Sequence, residues 1–517
     1  MGGIGWMNIS ELLARNARKF PEKTAVIEGE SALSYAEVNR MVNRLASSLA
    51  RLGVGRGDKV ALYMPNTKEF AVSYFAVLRL GAVVVPINAR LTAAEVQYIL
   101  GHSEAKALIA HDLVHQVLAP LVGGSDGIWV KTGKAEGGWL SLEELIDSGD
   151  PEEIVCPAKE DDEATILYTS GTTGRPKGVL FTHRNVITVA DMIVIETKID
   201  RQSRLLHLMP LSHSAPLHLF FIGGTYVGAT HVLAPVFSPD ALLELVERHQ
   251  ITHFFGAPVA YLLTAKHPRF DKYDLSSVRC WMYGGAPLSR EEVKFVASRF
   301  GAGRMMCLYG LTEAGPNGTY LSPEEHGEKA GSVGRDAALH CEVAIVDENG
   351  QEVAPGEVGE IVLRGESIMK GYYKDEEKTN EAIKGGWLYT GDLARRDEDG
   401  YIWIVDRKKD VIISGGVNIY PKEVEDVLRT HPAIADVAVI GVPHPEWGET
   451  AKAFVVLSQP LEPLAEECKR FLSDKLADYK IPRLYEAIAE LPRNATGKVL
   501  KQVLRTRETT AQGAQGR

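Results

Sequence analysis

The chain has 517 residues, of which 45% are hydrophobic, and a formal net charge of −11 at pH 7. This length exceeds a single hydrophobic core, which stops growing at roughly 250–300 residues, so two or three domains are expected. An acidic balance without a lysine or arginine block argues against a nucleic-acid surface. No stretch has the length and apolar character of a membrane span, so any membrane contact would be peripheral. The scattered cysteines follow no C-x-x-C pattern, which predicts a reducing cytoplasm and no zinc site.

The predicted elements alternate between helix and strand over roughly the first 340 residues. Apolar residues at helical spacing predict helices within residues 8–52 and from 69 to 80. Short apolar runs predict strands at residues 24–27, 59–64, 82–87, 107–110, 164–168, 230–233, 252–255 and 278–282. Such alternation favours a mainly parallel α/β architecture, in which ligands bind beyond the carboxyl ends of the strands.

A polar, glycine-rich loop interrupts this pattern between two apolar segments. It reads Thr169-Ser170-Gly171-Thr172-Thr173-Gly174-Arg175-Pro176-Lys177-Gly178. Backbone N–H groups, hydroxyls and a cation together suit a polyphosphate. The loop differs from a Walker A loop because Lys177 follows proline and Gly178 stands where the magnesium-binding hydroxyl belongs. A surface turn would explain the glycines but not the concentrated hydroxyls, so we predict a phosphate loop of another kind.

The pattern changes after about residue 340, where short strands separated by glycine turns predict a small antiparallel sheet or barrel. These strands are expected at residues 342–346 and 359–364. A domain boundary is expected near residues 406–410, and the helices and strands beyond it predict a compact α+β domain. The last residues, 506–517, are polar, so we expect them to be frayed.

Five further segments follow the glycine-rich loop along the chain. They are Tyr309-Gly310-Leu311-Thr312-Glu313, Tyr389-Thr390-Gly391-Asp392, Asp406-Arg407-Lys408-Lys409-Asp410, Ser414-Gly415-Gly416-Val417-Asn418-Ile419-Tyr420-Pro421 and Asn494-Ala495-Thr496-Gly497-Lys498. In this order, and over nearly the whole chain, the six segments resemble the adenylate-forming superfamily of acyl-CoA synthetases, luciferases and adenylation domains. The fatty-acid–CoA ligase and 4-coumarate–CoA ligase branches are the most similar.

The resemblance implies both a fold and a reaction. The expected α/β fold has a large N-terminal domain of α/β subdomains, residues 1–408, with a small β-barrel-like subdomain at about 335–408. A small, mobile α+β C-terminal domain, residues 409–517, completes it. The implied enzyme is an acid–thiol ligase that joins a carboxylic acid to the α-phosphate of ATP, releases pyrophosphate, and passes the acyl group to coenzyme A. We expect a cytoplasmic monomer or homodimer that uses Mg²⁺.

The resemblance assigns the phosphates of ATP to two segments. The β- and γ-phosphates would bind the hydroxyls, glycines and cation of the loop, namely Thr169, Ser170, Gly171, Thr172, Thr173, Gly174 and Lys177. Glu313 would bind Mg²⁺, a hard cation that prefers carboxylate and phosphate oxygens. Thr312 would reach the α-phosphate.

The nucleoside is assigned to other segments. Gly284, Gly285, Ala286 and Pro287 would let the adenine lie against the backbone, while Tyr309 stacks on it beside Gly310. Asp392 would accept the ribose hydroxyls, assisted by Arg407.

Lys498 is our candidate for the catalytic cation of adenylation, placed against the substrate carboxylate and the α-phosphate. Lys409 occupies the expected hinge, about which the C-terminal domain would rotate between the two half-reactions. Rotation would bring Gly415, Gly416 and Trp447 to the pantetheine arm of coenzyme A.

The acyl pocket is assigned to His213, Tyr283, Leu308, Gly315, Pro316 and Asn317. His213, expected at the junction of this pocket and the substrate carboxylate, is also a candidate catalytic residue. No acidic residue stands in His207-Leu208-Met209, where amino-acid-activating domains place an aspartate, so an amino-acid substrate is disfavoured. Our first choice of substrate is a medium- or long-chain fatty acid, and the second is an aryl or arylpropenoic acid.

Three alternatives stay open at this point. An acyl-AMP ligase that loads a carrier protein is disfavoured because the two domains join without an insertion. A non-enzymatic nucleotide-binding protein would be expected to lack Lys498 or Glu313, and both are present. A luciferase-like oxygenase would differ only in its pocket and substrate.

Overall fold

The computed structural model describes residues 7–123, 127–169, 176–286, 288–493 and 498–515. Its helices are α1 Ile9–Lys19, α2 Tyr35–Arg51, α3 Lys68–Arg79, α4 Ala93–Ser103, α5 Leu142–Asp147, α6 His183–Thr197, α7 Ile222–Val227, α8 Pro239–His249, α9 Pro258–Ala265, α10 Arg290–Phe300, α11 Glu376–Ala382, α12 Pro421–Leu428, α13 Leu464–Ser473 and α14 Lys501–Gln515. Its strands are β1 Thr24–Glu28, β2 Ser31–Ser34, β3 Lys59–Tyr63, β4 Val83–Ile87, β5 Ala105–Ala110, β6 Ile128–Lys131, β7 Leu140–Ser141, β8 Glu163–Thr169, β9 Lys177–Thr182, β10 Arg204–His207, β11 Thr230–Leu233, β12 His253–Gly256, β13 Cys280–Gly284, β14 Met305–Gly310, β15 Gly318–Leu321, β16 Cys341–Val346, β17 Gly359–Gly365, β18 Gly371–Tyr372, β19 Ile383–Lys384, β20 Trp387–Arg396, β21 Ile402–Arg407, β22 Ile412–Ser414, β23 Val417–Ile419, β24 Ile434–His444, β25 Gly448–Leu457 and β26 Leu484–Ala487.

The chain divides into two compact units. The larger unit comprises residues 1–330, 336–343 and 363–388, and the smaller unit comprises residues 331–335, 344–362 and 389–517. The fold class is confirmed: a mixed α/β chain has a large N-terminal part and a small C-terminal part. The hinge boundary between residues 408 and 409 stays a prediction.

Two eight-stranded sheets form the larger unit, in the orders β15-β14-β13-β12-β10-β11-β1-β2 and β18-β9-β8-β4-β3-β5-β6-β7. Most neighbouring strands are parallel, and the antiparallel pairs include β8 with β9 and β14 with β15. Strands such as β4 and β12 are buried along their whole length, as expected where helices cover both faces of a sheet. The mainly parallel architecture predicted from the alternating pattern is therefore correct.

The smaller unit contains the sheet β23-β22-β25-β24, to which β26 adds beside β25. Helices α12 and α13 cover it, and their apolar residues Val424, Leu428, Cys468 and Leu472 are buried against the strands. The antiparallel pair β20–β21 belongs to the same unit through residues 392–396 and 402–407.

One prediction about the C-terminal tail is wrong. Residues 506–515, expected to be frayed, form most of helix α14. Two polar side chains of this segment are ion-paired to other elements, which stabilises the helix: Glu508 accepts from Lys452 at 2.6 Å, and Arg507 pairs with Glu486. Within the described part of the chain, no helix combines the length and apolar character needed to cross a membrane.

Candidate active site

The glycine-rich loop connects β8 to β9 in an antiparallel hairpin. Thr169 is the last residue of β8 and pairs with Lys177, the first residue of β9. Of the loop, residues Ser170, Gly171, Thr172, Thr173, Gly174 and Arg175 lie outside the described residues. At its end, the Tyr98 hydroxyl donates to the Pro176 carbonyl at 3.2 Å. The hairpin therefore places the lysine beside the threonine at the mouth of the loop.

Tyr372 joins the predicted phosphate-binding lysine to the predicted metal ligand. Its hydroxyl donates to Glu313 Oε1 at 2.9 Å, and the Lys177 Nζ lies 4.7 Å from its ring centroid. Burial, followed by the Glu313 charge, raises the pKa of Tyr372, so the phenol stays protonated as the donor. The backbone supports this arrangement because the Met369 N–H donates to the Glu313 carbonyl at 2.8 Å.

Tyr372 belongs to none of the motifs predicted to form the site. Its position depends on β18, a two-residue strand that pairs with β9 so that Tyr372 faces Val179. No spacing along the chain connects residues so far apart, and the contact is created only by sheet pairing.

Thr312 and His213 are held by side chains of the larger unit. The Thr312 hydroxyl lies 3.1 Å from the Ser214 hydroxyl, which links the strand-end motif to the residue next to His213. His213 Nε2 lies 3.2 Å from the Asn88 amide nitrogen. An amide nitrogen only donates, so Nε2 accepts and the proton lies on Nδ1. Desolvation lowers the pKa of His213 to about 4, so the imidazole is neutral near pH 7.

The segment predicted to bind adenine requires glycine at two positions. A Cβ at Gly284 would lie 2.3 Å from the Leu308 carbonyl oxygen, and Gly285 has a φ of +82°. Gly310 is also restricted, since its Cβ would approach the Pro316 carbonyl oxygen to 2.8 Å. Ala286 directly follows this pair, and Pro287 lies outside the described residues. Tyr309 lies on β14, opposite Thr319 of β15, and its stacking role stays a prediction.

Two predicted acyl-pocket residues, Tyr283 and Asn317, form hydrogen bonds with other groups of the protein. Tyr283 is 2% exposed and its hydroxyl lies 3.1 Å from His326 Nε2. Since His326 Nδ1 donates to the Ser322 carbonyl at 2.7 Å, Nε2 accepts from the tyrosine. Asn317 donates to the Leu339 carbonyl at 3.0 Å and accepts from the Gly318 N–H at 2.9 Å. These two polar groups are therefore satisfied without a substrate.

Position 315 requires glycine because of its backbone conformation and the lack of space for a side chain. Its φ is +74°, and a Cβ there would lie 2.2 Å from the Ser367 carbonyl oxygen. Leu308, on β14 opposite Tyr320, is buried and packs with the core of this unit.

In the smaller unit, Asp392 and Arg407 face each other across β20 and β21 and form an ion pair of 2.5 Å. The Asp392 side chain is 7% exposed. Glu360, which also belongs to none of the predicted motifs, accepts from the Gly391 N–H and from Lys408 Nζ, both at 2.9 Å. It therefore fixes the turn before Asp392, and like Tyr372 it is placed by strand pairing rather than by a motif.

Lys498 lies in the same charged environment. The residue is exposed, but desolvation by the surrounding protein atoms lowers its pKa to about 8, and the next influences are the charges of Arg407, Asp392, Lys409 and Asp410. The predicted catalytic cation therefore lies within electrostatic reach of the predicted ribose-binding pair. Lys409 is exposed, and desolvation by neighbouring protein atoms also lowers its pKa. The residues preceding Lys498, 494–497, lie outside the described residues.

The residues predicted to meet the pantetheine arm also lie together. Gly415 and Gly416 have φ values of +57° and +81° and form the turn between β22 and β23. The Gly415 N–H donates to the Trp447 carbonyl at 2.9 Å. The Trp447 indole is stacked on His444 at 4.2 Å between ring centroids, and the Arg483 guanidinium carbon lies 3.4 Å from its centroid.

Comparison with known proteins gives consistent matches along the chain. The sequence profile of the AMP-binding enzyme family matches residues 13–373, and that of the AMP-binding enzyme C-terminal domain matches residues 423–498. A feruloyl-CoA synthase of Amycolatopsis sp is 39% identical over 495 residues, which are 95% of this chain and 97% of that protein. The long-chain-fatty-acid–CoA ligase FadD13 of Mycobacterium tuberculosis is 36% identical over 510 residues, 98% of each chain. The crystal structure of the anthranilate CoA ligase AuaEII with anthranoyl-AMP is 30% identical with a TM-score of 0.89, covering 98% of this chain and 97% of that one.

Proposed function

Because the chain belongs to the AMP-binding enzyme family, as an AMP-forming acyl- or aryl-CoA ligase, we propose that it joins an arylpropenoic or related aryl acid to coenzyme A. The observation that carries this choice is the 39% identity to a feruloyl-CoA synthase over 95% of the chain. A medium- or long-chain fatty acid, the first choice from sequence, is the second candidate, supported by the 36% identity to FadD13.

The proposed reaction has two steps. A carboxylate oxygen attacks the α-phosphorus of ATP, an acyl–O–P bond forms, and the bond to pyrophosphate breaks. The thiolate of coenzyme A then attacks the acyl carbon and AMP leaves. Both centres carry or develop negative charge, so positioned cations and hydrogen-bond donors supply most of the catalysis.

Lys177 and Glu313 serve the departing pyrophosphate in this proposal. Lys177, at the mouth of the loop beside Thr169, neutralises phosphate oxygens. Glu313 fits a Mg²⁺ ligand because Tyr372 occupies only one side of its carboxylate, through Oε1. Among the described residues no cluster of three or more potential ligands occurs, which suits a cation held chiefly by substrate phosphates. When bound, Mg²⁺ would neutralise charge on the β- and γ-phosphates.

Lys498 and the Asp392–Arg407 pair serve the nucleoside end. Asp392 accepts the ribose hydroxyls, and Arg407, 2.5 Å from it, holds the carboxylate in place. Lys498 lies against the carboxylate of the acid and the α-phosphate. With a pKa of about 8, its ammonium group is mostly charged near pH 7. Gly415, Gly416 and Trp447 act later, when rotation at Lys409 admits coenzyme A.

An assay with ATP, coenzyme A and a panel of acids tests the proposal. We expect AMP and a thioester, with a higher kcat/KM for ferulate and 4-coumarate than for octanoate and palmitate. A higher value for the fatty acids would select the second candidate. Formation of ADP, or of AMP without a thioester, would refute the CoA-ligase assignment.

A further inference from the structure

An amide in the first turn of helix α12 donates a hydrogen bond to a side chain that lies outside the helix. Its N-cap is Tyr420, whose side chain makes no capping bond, and its first residue is Pro421, which has no N–H. The next amide, that of Lys422, donates to Asp406 Oδ2 at 2.7 Å. A carboxylate at this end of a helix satisfies a free amide and interacts favourably with the helix dipole.

Asp406 is the last residue but one of β21, before the expected hinge at Lys409, whereas α12 follows the hinge. Its side chain is buried, with the residue 5% exposed, and Oδ1 accepts from the Arg407 N–H at 2.7 Å. One carboxylate therefore connects the strand that carries Arg407 to the helix beyond Lys409.

Helix α14, which begins three residues after Lys498, is fixed to the same elements. Lys501 Nζ lies 2.7 Å from Glu425 on α12, and Arg505 lies 2.7 Å from Asp410. Leu504 between them is 2% exposed. These two ion pairs lie wholly beyond Lys409, so they would move with the C-terminal domain. The Asp406–Lys422 bond is different because rotation at Lys409 would separate its partners.

We propose that Asp406 is a positioning residue, which holds α12, and through it α14 and Lys498, beside the Asp392–Arg407 pair during adenylation and releases α12 before thioester formation. The inference rests on the proposed function, since it assigns Asp406 to one of the two half-reactions. Desolvation raises the pKa of Asp406 to about 6, and the charge of the partly buried Lys501 opposes this shift and favours the ionised carboxylate that accepts from Lys422.

The test measures the two half-reactions separately in Asp406→Asn. This variant keeps the size of the side chain but has no charge and only one acceptor oxygen, so it cannot accept from both the Lys422 N–H and the Arg407 N–H. We expect the rate of acid-dependent pyrophosphate release to fall about ten-fold, as for one hydrogen bond to a charged group. Thioester formation from supplied acyl-adenylate should stay within about two-fold of wild type or rise. Asp406→Ala should change the ratio of the two rates further in the same direction.

Glu423→Gln is the matched control. Glu423 is also a carboxylate in the first turn of α12, and it pairs with Lys480 Nζ at 2.7 Å, so both groups of this pair lie beyond Lys409. We expect this variant to leave the ratio of the two rates unchanged. Equal losses in both half-reactions for Asp406→Asn, or the same ratio change in Glu423→Gln, would overturn the inference. Absence of pyrophosphate release from wild type with every acid would instead refute the proposed function.

Discussion

Replacing His218 by leucine should make the protein less sensitive to acid. His218 lies in the π-helix Ala215–Phe221 and is 0% exposed, with its ring edge-to-face against Phe181 at 5.0 Å. Neither ring nitrogen has a hydrogen-bond partner among the described residues. Burial lowers the pKa of His218 to about 3.

The sign of the effect follows from proton binding. The unfolded chain binds a proton at this imidazole below about pH 6.5, and the folded chain does so only near its lowered pKa. The stability that neutral His218 contributes is therefore fully present above pH 6.5 and is lost as the pH falls towards 3. At about 1.4 kcal/mol per pH unit, roughly 2 kcal/mol is lost between about pH 7.5 and 5.

Urea unfolding at a series of pH values checks this expectation. His218→Leu, of about the same volume, should be at least as stable as wild type near neutral pH, because an unsatisfied imidazole is costly to bury. The difference in free energy of unfolding between the variant and the wild type should increase by about 2 kcal/mol between about pH 7.5 and 5. Leu219→Ala provides the control, since it removes a buried apolar group of the same helix, changes no titratable group, and should lower the stability by a similar amount at every pH. If the free energies of unfolding of His218→Leu and the wild type changed in parallel with pH, the reasoning would be refuted.

Three further predictions concern the backbone at Gly315, the predicted catalytic cation Lys498 and the predicted hinge residue Lys409. Gly315→Ala should lower the melting temperature strongly, by the equivalent of about 3 kcal/mol or more, because its Cβ would lie 2.2 Å from the Ser367 carbonyl at a φ of +74°; an unchanged melting curve would contradict this. Lys498→Ala should slow adenylation by at least about a hundred-fold and thioester formation far less; equal losses in both steps would contradict the assignment. The rate of adenylation by the wild type should decline above about pH 8 as the Lys498 ammonium group loses its proton. Lys409→Pro should spare pyrophosphate release and abolish thioester formation from acyl-adenylate; survival of both rates would exclude the hinge.

The sequence predicted most of the elements because apolar periodicity reflects burial directly. The strands expected at residues 59–64 and 230–233 are β3 and β11, and the helix expected from 69 to 80 is α3. The motifs also single out Asp392 and Lys498, whose roles in the reaction stay predictions.

Residues that act through tertiary contacts could not be predicted in this way. Tyr372 and Glu360 touch the predicted site only because separate strands pair. The helix α14 was missed because its stabilising partners, Lys452 and Glu486, belong to other elements, and a polar sequence alone does not reveal them.

Tyr372, on the two-residue strand β18, contacts two groups of opposite charge. Its ring face, which is electronegative, lies towards the Lys177 ammonium, while its hydroxyl donates to the Glu313 carboxylate. A phenylalanine would keep the first interaction and lose the second, whereas a leucine would lose both. The tyrosine thus contacts, through its ring and its hydroxyl, the two groups for which we propose roles at the phosphates of ATP.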